Sequence, residues 1–207
     1  MAATYSEITE WIAATGLLPR GGFHPGPDDA VPPMADGRTT RTLILIGNAG
    51  PDLWQRLAPF LVRHPDLPNP LNSWVEQTVG LLAPVFGARA VYTHEGPPFR
   101  PFLRWAQRAE PVTPSPIGLL IHPVYGLWHA YRAALLFADE IALPPFVPAP
   151  SPCDSCAAKP CLAAGPVDSR PRAGFDTARR ACPIGMDYVY GDAQSAFHQA
   201  AFLGRRS

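Results

Sequence analysis

The segment Ile121-His122-Pro123-Val124-Tyr125-Gly126-Leu127-Trp128-His129-Ala130-Tyr131-Arg132 is the most informative part of the chain, because it places a turn between two apolar segments. Residues 116–123 and residues 127–137 are both rich in apolar side chains. Short apolar runs that are bounded by proline and glycine are typical of buried strands. We therefore predict a β-hairpin in which residues 127–137 pair with residues 116–123 around a turn at residues 124–126.

The predicted hairpin carries an unusual density of aromatic and hydrogen-bonding side chains. Binding pockets are lined by apolar and aromatic groups with a few convergent polar ones. We predict a cofactor pocket wall formed by His122, Tyr125, Trp128, His129 and Arg132. The same pattern fits a well-packed hairpin whose polar tips lie in water.

The rest of the chain alternates predicted helices and strands. Thr4 and Glu7 have the spacing of a capping box at the start of the first helix. Apolar periodicity predicts helices near residues 5–16, 53–61, 70–82 and 99–106 and after Asp192, strands at 42–47 and 88–93, and a loop at 21–29. The pattern therefore predicts a chain that contains both helices and strands.

The 27 prolines are concentrated in a few segments, of which the last, residues 144–152, contains five. Proline fixes φ and removes a backbone donor, so such a segment is typical of a stiff linker. We predict three parts: a body at 1–145, a proline-rich linker at 146–152, and a small irregular cysteine segment at 153–207. Its C-terminal helix is expected to pack back on the body.

The four cysteines are Cys153, Cys156, Cys161 and Cys182. Bacterial two-cluster ferredoxins use a C-x2-C-x2-C-x3-C-P run twice, and the last cysteine of each run ligates the other cluster. The first three cysteines would then be the local ligands of one 4Fe-4S cluster. Cys182, which precedes a proline, would be the remote fourth ligand.

The ligands of a second cluster are missing from the sequence. Gly165-Pro166 occupies the position where the run would have its last cysteine, and no cysteine lies between it and Cys182. The spacing between Cys156 and Cys161 is also four residues rather than two. Two other interpretations stay open: a structural zinc site with four thiolates, and disulfide bonds.

Composition restricts the partners of the protein. The formal net charge is zero, which argues against nucleic acid or an anionic membrane as a partner. No apolar run reaches 18 residues and no early signal-like segment is present, so we expect a cytoplasmic protein. The only lysine is Lys159, and we interpret the scarcity of lysine as compositional bias.

The hairpin sequence, followed by Glu140-Ile141-Ala142-Leu143-Pro144-Pro145, resembles the cobalamin-processing CblC family. That family has Ile-His-Pro, an aromatic residue and Gly, then Trp and Arg, a long apolar strand and a Pro-Pro exit. The strand and helix at residues 43–61 and the spacing of Tyr190, Gln194 and Phe197 are also similar to it. The resemblance covers most of residues 40–145, and only the His-Pro hairpin is specific.

A second resemblance involves the two ends of the cysteine segment. Residues 153–166 and 179–185 look like a shortened iron–sulfur tail of bacterial ferredoxin-like relatives of CblC and, more distantly, of epoxyqueuosine reductase. Those proteins join a corrinoid-type body to a two-cluster tail. The missing cysteines put a two-cluster relay in doubt.

These resemblances imply a nitroreductase/CblC-like α+β fold, a sheet flanked by helices, that binds cobalamin or flavin against its central sheet. His122 would donate a hydrogen bond to the corrinoid, and Arg132 would pair with its phosphate or a carboxamide. The cluster would pass electrons from a redox partner protein to the corrinoid, as in a cobalamin-processing reductase. Two alternatives stay open: a single-cluster electron carrier without small-molecule turnover, and a zinc-stapled binding protein. The sequence does not indicate an oligomeric state.

Overall fold

The computed structural model describes residues 3–164 and 174–202. These residues form seven α-helices and six β-strands. In chain order they are α1 (Tyr5–Ala14), β1 (Leu18–Phe23), β2 (Thr42–Ala49), α2 (Asp52–Arg63), α3 (Pro70–Val85), β3 (Arg89–Tyr92), α4 (Phe102–Ala109), β4 (Thr113–Pro114), β5 (Leu120–Ile121), β6 (His129–Phe137), α5 (Pro160–Ala163), α6 (Gly174–Ala181) and α7 (Asp192–Phe202).

The central feature is a four-stranded sheet with the order β1-β2-β6-β3. β1 runs antiparallel to β2, and β3 runs antiparallel to β6. All eight residues of β2 are buried, as expected of a strand that is covered on both faces. Helices α1 and α4 contact β1, and α3 contacts β3. The predicted α+β architecture, a sheet flanked by helices, is confirmed.

Helix α1 shows how local sequence sets an element. The Thr4 hydroxyl accepts a hydrogen bond from the Glu7 N–H, and the Glu7 carboxylate accepts one from the Thr4 N–H. This capping box satisfies two donors that the first turn of a helix leaves open. Ile8 and Ile12 are one turn apart and fully buried. The predicted start of the helix is confirmed.

The predicted hairpin is wrong. β6 pairs with β3 and lies beside β2 in the sheet, whereas the two-residue β5 pairs with β4. A turn from Ser115 to Gly118, with Gly118 at a φ of +80°, leaves too few extended residues in the preceding segment to pair with a nine-residue strand. Only an isolated bridge between His122 and Gly126 remains of the hairpin.

The predicted loop at residues 21–29 is also partly wrong, because residues 21–23 belong to β1. Gly21 and Gly22 suggest a turn, yet both are needed inside the strand. A Cβ on Gly21 would overlap the Ala109 carbonyl, and one on Gly22 would lie 2.6 Å from the Leu43 carbonyl oxygen. The register shifts between Pro19 and Gly22, as in a β-bulge.

The chain divides into two compact units. Unit 1 contains residues 1–48, 55–110 and 130–147, and unit 2 contains residues 49–54, 111–129 and 148–207. The chain passes from unit 1 to unit 2 for the last time at Val147, inside the predicted linker. The predicted three-part division at 145 and 153 stays a prediction. No helix in the described ranges is both long enough and apolar enough to cross a membrane.

Candidate four-cysteine site

All four cysteines line one cavity in unit 2. Apolar side chains and prolines complete its wall, among them Pro116, Ile121, Pro183 and Ile184. The cavity measures about 290 Å³, which includes the solvent in its open mouth. Residues that are 29 positions apart in the sequence, Cys153 and Cys182, therefore face a common space.

Three short segments position the thiols. Cys153 and Cys156 lie in the loop before α5, Cys161 lies in the first turn of α5, and Cys182 follows the last residue of α6. Pro160 occupies the first turn of α5, where the missing N–H of proline costs nothing. The predicted glycine–proline position at 165–166 lies outside the described residues.

The loop before α5 is held by hydrogen bonds at both ends. The Ser151 carbonyl accepts from the Asp154 N–H, and the Ser151 hydroxyl accepts from the Cys153 N–H at 3.3 Å. The Lys159 ammonium donates to the Cys153 carbonyl at 2.7 Å. These contacts fix the backbone between the first and third cysteines.

An apolar cluster surrounds the two inner cysteines. Cys161 and Cys182 are 7% and 6% exposed, so their thiols are screened from bulk water. The buried members of this cluster are Ile117, Ile121, Leu127, Cys161, Ala178 and Cys182. The cysteines thus belong to the core of unit 2.

Burial sets the electrostatics of the thiols. Desolvation is the largest cause that raises the pKa of Cys182, and its hydrogen bond with the Ile184 backbone acts in the opposite direction. The other three cysteines raise the pKa of Cys182 further. Burial likewise raises the pKa of Cys153, opposed by Ser151 and by the charge of Lys159.

None of the four cysteines is in a disulfide bond. No three His, Cys, Asp or Glu side chains in the described ranges are gathered as a site for a metal ion. Zn–S bonds are about 2.3 Å long, so the sulfurs of one zinc ion approach one another to about 4 Å. The four thiols share a cavity without such a closed arrangement.

Three of the five predicted pocket residues come together in unit 2. The His122 ring stacks on Tyr125 with ring centroids 4.3 Å apart, and it lies edge-on to His129 at 6.1 Å. His122 Nδ1 accepts the Val124 and Tyr125 backbone N–H groups, which leaves the proton of the neutral ring on Nε2. His129 Nε2 is 3.1 Å from the Leu120 carbonyl.

The other two predicted residues have different surroundings. Trp128 is 0% exposed, and the Arg179 guanidinium lies 4.3 Å above its ring. The Trp128 Nε1–H has no hydrogen-bond partner among the described residues. Arg132 belongs to unit 1, where its Nε donates to the Asn48 side chain at 2.8 Å.

Two facing glycines join the turn at residues 122–126 to the loop after Cys182. Gly126 has a φ of +56°, and a Cβ there would overlap the Ile184 carbonyl. Gly185 has a φ of +77°, and a Cβ there would overlap the Tyr125 carbonyl. The two backbones are therefore in direct contact, which fixes the loop after Cys182 against the turn at residues 122–126.

The sequence analysis missed Lys159 as part of this site. Its signal was its position, because it lies inside the cysteine segment, two residues before Cys161. The structure places it in the cavity wall.

The fold is similar to one solved structure of known role. That structure is the crystal structure of a B12-trafficking protein CblC from C. elegans, a human MMACHC homologue, and the TM-score is 0.59 at 14% sequence identity. The likeness covers 94% of this chain and 91% of that chain. At this identity it shows a common fold. No family model matches the sequence, and no curated protein does.

Proposed function

We propose that this protein is an iron–sulfur redox protein of CblC-like fold that holds one 4Fe-4S cluster and delivers electrons to a bound corrinoid. The observation that carries the proposal is the shared cavity: every cysteine of the chain lines it. The likeness to a B12-trafficking protein over nearly the whole chain supports the corrinoid.

The donor set fits an iron–sulfur cluster. Four thiolates are the usual ligands of a 4Fe-4S cluster, and each binds a different iron, so they stand farther apart than the ligands of one ion. Cys153, Cys156, Cys161 and Cys182 line one cavity and supply the four thiols that such a cluster needs. When bound, such a cluster supplies single electrons at a potential that depends on burial and hydrogen bonds.

The residues of the chain would contribute binding and exclusion of water. Cys161 and Cys182, which belong to the apolar core of unit 2, would bind the buried side of the iron–sulfur cluster. Cys153 and Cys156 lie in the more accessible loop and would close the outer side. Ile121 and Ile184 in the cavity wall would keep water from the sulfurs.

The corrinoid is the proposed substrate. One electron would reduce its cobalt and release the upper axial ligand, and a redox partner protein would replace the electron. His122 would donate a hydrogen bond through Nε2, and Tyr125 and His129 would support its ring. The buried Trp128 would contribute to the wall of the pocket. That Arg132, a residue of unit 1, pairs with a phosphate or carboxamide of the corrinoid stays a prediction.

The test is anaerobic reconstitution of the full chain with ferrous iron and sulfide. About four iron and four sulfide per chain, with a brown colour that bleaches on dithionite, would support the cluster. Cys182→Ala should lose iron and colour. Ser155→Ala is the control, because Ser155 lies in the loop of Cys153 and Cys156 and is exposed. Purified protein that contains zinc and no iron would overturn the proposal of an iron–sulfur cluster.

The corrinoid is tested separately by adding cobalamin to the reconstituted protein. A shift of the cobalamin spectrum to the base-off form, followed by reduction when dithionite is added in limiting amounts, would support the proposed reaction. A protein that holds the cluster but leaves the cobalamin spectrum unchanged would instead be a single-cluster electron carrier.

A further inference from the structure

Lys159 has a backbone conformation that its side chain does not favour. Its φ of 38° and ψ of 56° lie in the left-handed region. Among the described residues other than glycine, only Ala30 shares a positive φ. The Cβ of an L-residue is crowded in this region. A compensating role of the side chain would explain why lysine rather than glycine occupies the position.

The side chain of Lys159 bridges the cysteine loop. Its Nζ donates to the Cys153 carbonyl at 2.7 Å, six residues back along the chain. The left-handed backbone turns the chain just before α5, which begins at Pro160 and carries Cys161. Lys159 therefore connects the first and third cysteines of the site.

Among the described residues that line the cavity, Lys159 is the only charged one. The other described residues of the wall are the four cysteines, four prolines and two isoleucines. Its ammonium, held at the Cys153 carbonyl, places that positive charge beside the first cysteine of the site. In a cavity with apolar walls a single charge is poorly screened.

We propose that Lys159 is a positioning residue of the four-cysteine site that raises the reduction potential of its cluster. The inference rests on the proposed function. A cluster with four thiolate ligands is anionic and gains a further negative charge on reduction. A fixed ammonium in the cavity wall stabilises the reduced state more than the oxidised state, and net charge is one of the factors that set such potentials.

The first test compares the reduction potential of three variants with that of the reconstituted full-length protein. Lys159→Gln keeps a hydrogen-bond donor and removes the charge, and Lys159→Arg keeps the charge. Lys159→Gly removes the side chain while allowing the left-handed backbone. We expect lower potentials for Lys159→Gln and Lys159→Gly and a potential near that of the wild type for Lys159→Arg.

The second test needs no cluster. The reduced, iron-free protein is treated with anionic dithiobis-nitrobenzoate and with neutral dithiodipyridine, and the ratio of the two rates is measured. The ratio cancels the thiolate fraction and reports the local charge. We expect it to fall roughly two- to fivefold in Lys159→Gln, which is the effect of one nearby charge in water, and to be kept in Lys159→Arg.

The two proposals fail in different ways. A wild-type protein that takes up no iron overturns the proposed function, and the rate ratio still decides whether the Lys159 charge acts on the thiols. An unchanged ratio in Lys159→Gln overturns the inference. The inference is also overturned if cluster-loaded Lys159→Gln has the reduction potential of the wild type. It is overturned as well if the reduction potential falls as much in Lys159→Arg as in Lys159→Gln.

Discussion

A buried ion pair in unit 1 shows how much can depend on single residues. Arg20 donates from Nε and Nη2 to both carboxylate oxygens of Glu110, at 3.0 and 2.5 Å, and its side chain is 1% exposed. The Tyr131 hydroxyl donates to the same carboxylate. Burial, first of all, raises the pKa of Tyr131 well above its usual value, so the phenol stays a donor. The Arg20 guanidinium and the Glu110 carboxylate are thus buried together, and each offsets the charge of the other.

Glu110→Ala should therefore be among the most damaging single substitutions in unit 1. It leaves the Arg20 guanidinium buried without its carboxylate, which costs about 3–5 kcal/mol in the free energy of unfolding. Urea denaturation measures the loss.

The control is Glu140→Ala, which removes a 2.7 Å ion pair with Arg41 whose side chains are 60% and 57% exposed. An exposed pair contributes about 0–1 kcal/mol. Equal losses for the two variants would show that the Arg20 pair is compensated in another way.

At the scale of elements, unit 2 depends on the contact between a turn and a loop. Gly126 and Gly185 face each other with no space for a Cβ on either side. Tyr188 also packs edge-on against Tyr125, with ring centroids 4.9 Å apart. The loop that carries Cys182 is therefore located by the turn that carries His122.

Gly126→Ala should separate these elements. The substitution imposes a strained positive φ and an overlap with the Ile184 carbonyl, so we expect a lower melting temperature and weaker iron retention after reconstitution. Gly118→Ala is the matched control, because Gly118 also has a positive φ, +80°, but no atom lies within 4 Å of its Cβ position. Similar iron retention in both variants would argue against a specific role for the contact.

The elements also show what the sequence can and cannot predict. The capping box at Thr4 and the apolar run of β2 are local signals, so α1 and β2 were predictable. The partner of β6 was not, because an apolar strand does not encode which strand it joins. Gly21 and Gly22 suggested a turn. Glycine is needed there because the Ala109 and Leu43 carbonyls, which are distant in the sequence, leave no space for a Cβ.

The candidate site divides in the same way. Cysteine spacing predicts that the four thiols are the ligands of one metal group, which stays a prediction, and the structure shows that all four line one cavity. The charge in the wall was missed, because one lysine in a sequence has no pattern, and only the folded loop brings its ammonium to the Cys153 carbonyl.

At the scale of the whole molecule, the two units are interleaved along the chain. The chain passes between them after residues 48, 54, 110, 129 and 147. Unit 2 therefore needs residues 111–129 as well as the cysteine segment. Ile117, Ile121 and Leu127 pack with Cys161 and Cys182 in one apolar cluster.

A chain that stops after Val147 should consequently not behave as an intact domain. Removal of residues 148–207 leaves Ile117, Ile121 and Leu127 without Cys161, Ala178 and Cys182. We expect the truncated chain to bind an apolar dye strongly and to unfold in a broad thermal transition. Addition of a peptide of residues 148–207 should weaken the dye binding and sharpen the transition. A truncated chain with a sharp transition and no dye binding would show that residues 1–147 fold alone.

The interleaving also has a consequence for synthesis on the ribosome. Unit 1 is complete once Val147 has emerged, but residues 49–54 and 111–129 must wait for the last 60 residues. At a synthesis rate of about 5–20 residues per second, that delay is roughly 3–12 s. During it the apolar side of residues 111–129 is a surface that chaperones can recognise. All four cysteines lie in residues 148–207, so the four-cysteine cavity can form only after this segment has been made.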